Sequence, residues 1–199
     1  MNEPSIDSEN FFKTACYFES ALILVAIALG WIAEINPFEF IIFNEQVVIN
    51  GIMGTLPLCI IFLALNQITV ESLQQIRQVL QNTLGPGLAK HHWTDLFVLA
   101  AIAGISEEIL FRGVIQPWLE NSWGIMAGLL ISSLLFGLIH AVTFLYFVMA
   151  TAVSIYLGLY LDYDNTRNLL TPIIIHGLYD FFAFFIIVRA YRLEQQKVH

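Results

Sequence analysis

Long apolar stretches alternate with short polar connections along the chain, and this pattern predicts membrane-spanning helices. A spanning helix needs about 20 mostly apolar residues, and about six segments meet that length. They cover residues 17–35, 47–65, 95–118, 124–142, 144–161 and 168–189. Asn36-Pro37 is expected to close the first segment, and Asn121-Ser122 to mark the turn before the fourth. The pattern therefore predicts an all-α polytopic membrane protein.

The connection between the second and third segments has a different periodicity. Across residues 66–84, apolar side chains recur at helical spacing with polar ones between them, which predicts an amphipathic helix. Two placements stay open: a helix lying in the membrane interface, or a solvated linker helix packed on the bundle. Gly85-Pro86-Gly87 is expected to end this helix, and Trp93 to anchor the next segment at the interface.

Composition supports the membrane assignment. The 199 residues are 58% hydrophobic and 12% charged, whereas soluble domains carry about 25% charged residues. The net charge of -8 argues against a nucleic-acid partner, because no basic patch is present to neutralise phosphates. Cys16 and Cys59 lack metal or redox spacing and are expected to stay unpaired.

Charge in the connections predicts the orientation. With six spans and Arg112 set aside because it lies inside a span, one side of the membrane carries every lysine and arginine except Arg167, namely Lys13, Arg77, Lys90, Arg189, Arg192 and Lys197. The positive-inside rule then places both termini in the cytoplasm. The N-terminus lacks the basic region of a signal peptide, so the first segment is expected to remain in a multi-pass inner-membrane protein.

Three charged residues interrupt the third apolar segment. Glu107, Glu108 and Arg112 lie within six positions, and each charge near a bilayer centre costs about 2.5–3.5 kcal/mol on insertion scales. Glu108 and Arg112 are i, i+4 and can pair on one helix face. Glu107 is rotated about 100° from Glu108, so it needs a partner from another helix.

Later segments supply candidate partners. His140 lies in the fourth segment, and His176 and Asp180 are i, i+4 in the sixth. A single membrane Glu–Arg pair can be a packing contact, and a lone histidine is usually a hydrogen-bonded core residue. Two carboxylates, an arginine, two histidines and an aspartate on three helices instead favour a functional site.

These motifs carry a resemblance to a known family. Glu107-Glu108 with Arg112, Phe136 with His140, and His176 with Asp180, in this order, resemble the three motifs of the CPBP family. That family comprises type II CAAX prenyl endopeptidases and bacteriocin-processing or self-immunity proteins of the Abi group. The resemblance covers residues 95–188. It implies an intramembrane endopeptidase acting on a membrane-protein or peptide substrate in the lipid bilayer.

The resemblance also implies roles for the residues. Glu107 and His140 would activate a water, Glu108 and Arg112 would hold the helix face, and His176 would stabilise the oxyanion. The family has Asn or Asp at position 180; an ionised Asp180 only accepts hydrogen bonds, so it is expected to orient His176. Zn²⁺ or another divalent metal held by Glu107, His140 and His176 and a metal-free glutamate mechanism both stay open.

The resemblance divides the chain into four parts. Residues 1–16 form a polar tail, 17–94 two accessory spans and the amphipathic helix, 95–190 the catalytic membrane domain, and 191–199 a C-terminal tail. Two other functions stay open beside the peptidase. One is a non-catalytic scaffold or bacteriocin-immunity protein of the same fold, and the other is a proton-coupled transporter.

Overall fold

The computed structural model describes residues 7–198 as a bundle of helices, with no strand in that range. The helices are α1 Ser8–Ala33, α2 Glu45–Gln67, α3 Glu71–Leu88, α4 Trp93–Leu110, α5 Gln116–Trp123, α6 Ile125–Ile139, α7 Phe144–Tyr160 and α8 Leu170–Val198. A π-helical turn, Phe111–Ile115, joins α4 to α5, and a 3-10 turn, Tyr163–Asn165, precedes α8. The predicted all-α class is confirmed.

The outside of the bundle is apolar. Large hydrophobic side chains face outward along its length, including Trp31, which is 84% exposed, and Phe144, which is 80% exposed. Exposed apolar surface on this scale marks a protein that contacts lipid. Among the described residues, α1, α2 and α8 are the helices that are long and apolar enough to cross a membrane, while α6 and α7 are shorter apolar helices.

Helix α8 is the centre of the bundle. It packs between α4 and α2, while α1 covers the other side of α4 and α6 pairs with α7. Helix α2 approaches α8 closely at Gly51 and Gly54, whose positions face Ile174 and Ile175 of α8. Small residues at such crossings are typical of membrane helix packing.

Helix α3 packs on the bundle through its C-terminal end. Gly85 lies against Tyr191 and Gly87 against Phe11, so close that a Cβ atom at either glycine would overlap the facing ring. The helix runs through this Gly-Pro-Gly sequence to Leu88, so the expectation that the sequence ends the helix is wrong. The glycines allow close packing of helices instead of terminating one.

Other helix ends also differ from the predicted ones. Helix α1 begins at Ser8, capped by Asp7, so residues 8–16 of the expected polar tail are helical; residues 1–6 lie outside the described range. The break before α6 falls at Gly124, which has φ 89°, because only glycine adopts this conformation easily; it is not at Asn121-Ser122. Helix α8 continues through the expected C-terminal tail to Val198, and His199 is outside the described range.

Candidate active site

Two glycines bring α4 and α8 together beside the motif residues. A Cβ atom at Gly104 would lie 2.6 Å from the backbone nitrogen of Gly177 and 2.8 Å from its Cα atom. The two backbones are therefore in direct contact. Glu107 and Glu108 follow Gly104 by about one turn, and His176 directly precedes Gly177, so this crossing sets the distance between their side chains.

Glu108 is the fixed carboxylate of the site. It is fully buried, and its Oε1 atom accepts from Arg112 Nη1 at 2.9 Å and contacts His176 Nδ1 at 2.8 Å. Arg112 Nη2 donates to the backbone oxygen of Ser154 at 2.6 Å and to its hydroxyl at 2.8 Å. The predicted Glu108–Arg112 pair is therefore present, and Glu108 also orients His176, a contact that the sequence did not predict.

A π-helical turn carries Arg112. The N–H group of Gln116 donates to the oxygen of Phe111, five residues earlier, so the helix is locally wider than an α-helix. Such turns occur frequently at functional sites. Gly113 in this turn faces the backbone oxygen of Pro37, which a Cβ atom would approach to 2.6 Å. The segment after α1 therefore packs against the turn that carries Arg112.

Glu107 points into a different environment. It is 6% exposed, and its Oε2 atom is buried with no hydrogen-bond partner among the described residues. That atom lies 3.6 Å from His140 Nε2 and 4.0 Å from His176 Nε2. Both distances exceed a direct hydrogen bond, so the three groups face one another across a small gap. The structure thus brings Glu107 and His140 together from α4 and the end of α6.

The orientation of His140 is set by its own helix. His140 caps the C-terminus of α6, its Nδ1 atom lies 2.9 Å from the Phe136 backbone oxygen, and its ring stacks on Phe136 with centroids 4.3 Å apart. A carbonyl oxygen only accepts, so Nδ1 carries the proton and Nε2 of the neutral ring is an acceptor.

The depth of His140 in the bundle follows from the length of α6. The predicted fourth span, 124–142, is too long, because α6 has 15 residues. At 1.5 Å per residue that is about 22 Å, shorter than the roughly 30 Å hydrocarbon core. The C-terminal end of α6 can therefore lie inside the bundle at the level of Glu107, although His140 is at the end of its helix.

Asp180 lies one turn after His176 on α8. Its Oδ2 atom is 3.5 Å from His176 Nε2, whereas Glu108 holds Nδ1 of the same ring at 2.8 Å. The short contact that orients the imidazole therefore comes from Glu108, and Asp180 faces the other nitrogen at longer range. Nε2 can donate to a ligand only when the ring carries both protons.

These side chains line one cavity of about 210 Å³. Its polar lining comes from five helical elements: Glu19 of α1, Glu107 of α4, His140 at the end of α6, Tyr146 of α7, and Tyr179, His176 and Asp180 of α8. An apolar groove of about 370 Å³ between α2, α3, α7 and α8 shares part of this lining, including Tyr146, Tyr179 and Asp180. The polar cavity thus adjoins the apolar groove.

Sequence reasoning missed two residues of the site. Glu19 is a carboxylate within the first apolar segment, and the energetic criterion that selected Glu107 would have selected it too. Ser154 gave no signal, because a serine in an apolar helix usually bonds to its own helix backbone. Its role here depends on the position of Arg112, 42 residues earlier in the chain.

Metal binding requires ligands arranged around one point. Within residues 7–198, no group of three or more His, Cys, Asp and Glu side chains is arranged to hold a metal ion. Metal binding by Glu107, His140 and His176 stays a prediction. Cys16 and Cys59 are both free thiols.

The fold and the site describe an all-α membrane protein with a buried cluster of glutamate, histidine and arginine. Residues 89–182 match the family model of the Rce1-like type II CAAX prenyl endopeptidases. This segment, which is just under half of the chain and contains all three motifs, is similar to the Rce1-like family, a family of membrane proteases.

One curated relative extends the comparison. The uncharacterized protein YpbD of Bacillus subtilis (strain 168) is 34% identical over 95 residues, which are 46% of this chain and 45% of the relative. The chain thus spans less than half the length of that relative. No solved structure matches the chain significantly.

Proposed function

We propose that this chain is an intramembrane endopeptidase that hydrolyses a peptide bond in a membrane-associated protein or leader peptide, with Glu107 and His140 activating the attacking water. One observation carries the proposal. Glu107 Oε2 is buried, has no hydrogen-bond partner in the described structure, and faces His140 Nε2 across 3.6 Å. A water beside that gap can bond to both atoms, because each offers a lone pair.

The proposed reaction uses these two residues for proton transfer. Glu107 takes one proton from the water, whose oxygen adds to the scissile carbonyl carbon while the carbonyl π electrons move to its oxygen. His140 is held by Phe136, so its Nε2 atom accepts a hydrogen bond from the same water and fixes the direction of attack. When the C–N bond breaks, the proton held by Glu107 passes to the leaving amine.

The remaining motif residues support this step. Arg112 neutralises Glu108, so Glu108 can hold His176 without adding an uncompensated charge to the site. His176, protonated at both nitrogens, would donate from Nε2 to the developing oxyanion. Asp180 faces that nitrogen at 3.5 Å, where its oxygen can help to orient the ring.

The apolar groove indicates that the substrate has an apolar segment. Because the groove joins the polar cavity at Tyr146, Tyr179 and Asp180, an apolar segment lying in it would present a neighbouring peptide bond to Glu107. A prenylated C-terminus, a leader peptide and a membrane protein all have such a segment. We also place the protein in the inner membrane as a multi-pass protein with both termini in the cytoplasm, as the basic connections predict.

The test is cleavage by the full-length protein in proteoliposomes. The probe is a peptide library made by digesting a proteome at acidic residues, and new termini are identified by mass spectrometry. Glu107→Gln keeps the shape and removes the base, so cleavage should fall about 10²–10⁴-fold. Glu71→Gln, at an exposed position at the start of α3, is the matched control and should cleave normally.

Two results would contradict the proposal. One is cleavage by Glu107→Gln at the wild-type rate, which would remove Glu107 from the chemistry. The other is the absence of new termini with wild-type protein in both the peptide library and a membrane-protein fraction. Proton-coupled flux in the same liposomes, lost in Glu107→Gln, would then favour a transporter.

A further inference from the structure

Glu19 extends the candidate active site beyond the family segment. It lies on α1, outside residues 89–182, yet its side chain lines the same cavity as Glu107, His140 and Asp180. His176 and Tyr179 line this cavity as well, so Glu19 faces the same space as the motif residues. None of the roles described above uses this side chain.

The hydrogen bonding of Glu19 is incomplete. Its Oε2 atom is buried and has no partner among the described residues. Glu107 Oε2 is in the same condition, and it belongs to a side chain that is 8% exposed. A buried carboxylate oxygen without a donor is costly. Glu107 and the partly buried Glu19 each have one and line one cavity, which indicates that a ligand supplies the donors.

The charge of the cavity indicates which donor fits. Its lining contains three carboxyl groups, from Glu19, Glu107 and Asp180, and two imidazoles, but no lysine or arginine. Arg112 does not line this cavity, and its terminal nitrogens donate to Glu108 and Ser154. A positively charged group entering the cavity would therefore meet uncompensated negative charge in a low-dielectric site.

We propose that Glu19 is a specificity-determining residue that binds a lysine or arginine side chain within two residues of the scissile bond. This inference rests on the proposed peptidase function. Glu19 lines the same small cavity as Glu107, the residue proposed to activate the water, so a side chain that reaches Glu19 must lie close to the scissile bond. An ammonium or guanidinium group donates charge-assisted hydrogen bonds to a carboxylate, and its apolar stem suits the adjoining groove.

The test measures cleavage of the same peptide library. Because that library is made by digestion at acidic residues, its peptides retain internal lysine and arginine. Wild-type protein should cleave peptides that have a basic residue within two positions of the bond about tenfold or more faster than neutral ones. Glu19→Gln should remove that preference while cleaving neutral peptides at a rate within about threefold of wild type. Glu19→Asp, which keeps the charge, should retain part of the preference.

Two synthetic comparisons separate charge from shape and from metal. Peptides in which norleucine replaces the lysine, or citrulline replaces the arginine, should be cleaved like neutral ones by both proteins. If a divalent cation bound at Glu19 caused the preference, a chelator would abolish it; we expect the basic preference to survive the chelator. Glu9→Gln, at an exposed position of the same helix where Glu9 pairs with Lys13 at 2.6 Å, is the control and should keep the preference.

The outcomes distinguish this inference from the function on which it rests. Cleavage without basic preference, or a preference unchanged in Glu19→Gln, refutes the role of Glu19 and leaves the peptidase intact. Loss of cleavage of every peptide in folded Glu19→Gln, checked by its melting temperature, would make Glu19 essential for the reaction and also overturn a specificity role. Absence of cleavage by wild type refutes both.

Discussion

Replacing Gly104 by alanine tests whether the crossing of α4 and α8 sets the geometry of the site. The added Cβ atom would lie 2.6 Å from the Gly177 nitrogen, whereas ordinary van der Waals contact begins near 3.4 Å. The facing atoms are backbone and cannot rotate away. Helix α8 must therefore move back by about 0.8 Å, the difference between these two distances.

That movement acts directly on the link between Glu108 and His176. Their contact is 2.8 Å, and lengthening it by the same amount gives about 3.6 Å, outside the range of a hydrogen bond. A misplacement of about 1 Å at a catalytic group can cost about 10²-fold in rate. Overpacking itself costs about 1–3 kcal/mol, which is about 2–4 °C of melting temperature per kcal/mol for a chain of this size.

Gly177→Ala is the matched control on the facing helix. Its Cβ atom would lie 3.5 Å from the Ala100 oxygen and 3.7 Å from the Ala101 Cα atom, so it fits without displacement. The two variants add the same methyl group to the same crossing. We expect Gly104→Ala to melt several degrees lower and to cleave about a hundredfold more slowly, while Gly177→Ala behaves like wild type. Indistinguishable melting temperatures and rates in the two variants would refute the reasoning.

Three further predictions concern the charged residues. Arg112→Met should destabilise the protein by about 3–5 kcal/mol in a denaturant titration, because Glu108 is left buried without its counter-charge; a loss below about 1 kcal/mol would contradict this. Asp180→Asn should retain most cleavage activity and Asp180→Ala should lose much of it, because an amide can still hydrogen-bond at this position; equal, near-complete loss in both would contradict the positioning role. For the metal-free alternative, metal analysis of purified protein should find less than one divalent ion per chain, and a chelator should leave cleavage unchanged; one zinc per chain, with activity lost on chelation and restored by zinc, would support the alternative in which Glu107 is a ligand.

The helices could be predicted from the sequence, because each depends on the length of one apolar stretch. The positions of the helix ends were harder to predict, because glycine can either break a helix or allow two helices to pack closely. At Gly124, with φ 89°, glycine breaks the helix, as its conformational freedom suggests. At Gly85 and Gly87 it stays within α3 and allows close contact with Tyr191 and Phe11. Sequence alone does not distinguish these uses, because the second depends on a helix far away in the chain.

The candidate site follows the same division. The pair of Glu108 with Arg112 is local, so the i, i+4 rule was sufficient to predict it. The contact of Glu108 with His176 spans 68 residues and depends on the register of α4 against α8, which the Gly104 crossing fixes. The cost of a charge in an apolar segment could have identified Glu19 as a candidate site residue. Its location in the same cavity as Glu107 could not be predicted, because it depends on the packing of α1 on α4.

The arrangement of charges explains how one reactive carboxylate can exist among two adjacent ones. One oxygen of Glu108 accepts from Arg112 and contacts His176. The other terminal nitrogen of the arginine donates to Ser154. The terminal nitrogens of the arginine are directed at Glu108 and Ser154 and not at Glu107. Glu107 therefore has no short contact with a cation, since His176 Nε2 lies 4.0 Å away, although Glu107 is next to Glu108 in the chain.

The hydrogen bonding of Glu107 then depends on the group that enters the cavity. The family segment, residues 89–182, supplies Glu107, both histidines and Asp180, which are the groups that the proposed hydrolysis needs. Helix α1 lies outside that segment and adds Glu19 to the same space. If the role proposed for Glu19 is correct, chemistry and selectivity come from different parts of the chain. Changing α1 would then alter which peptide bonds are cleaved while the hydrolytic groups stay in place.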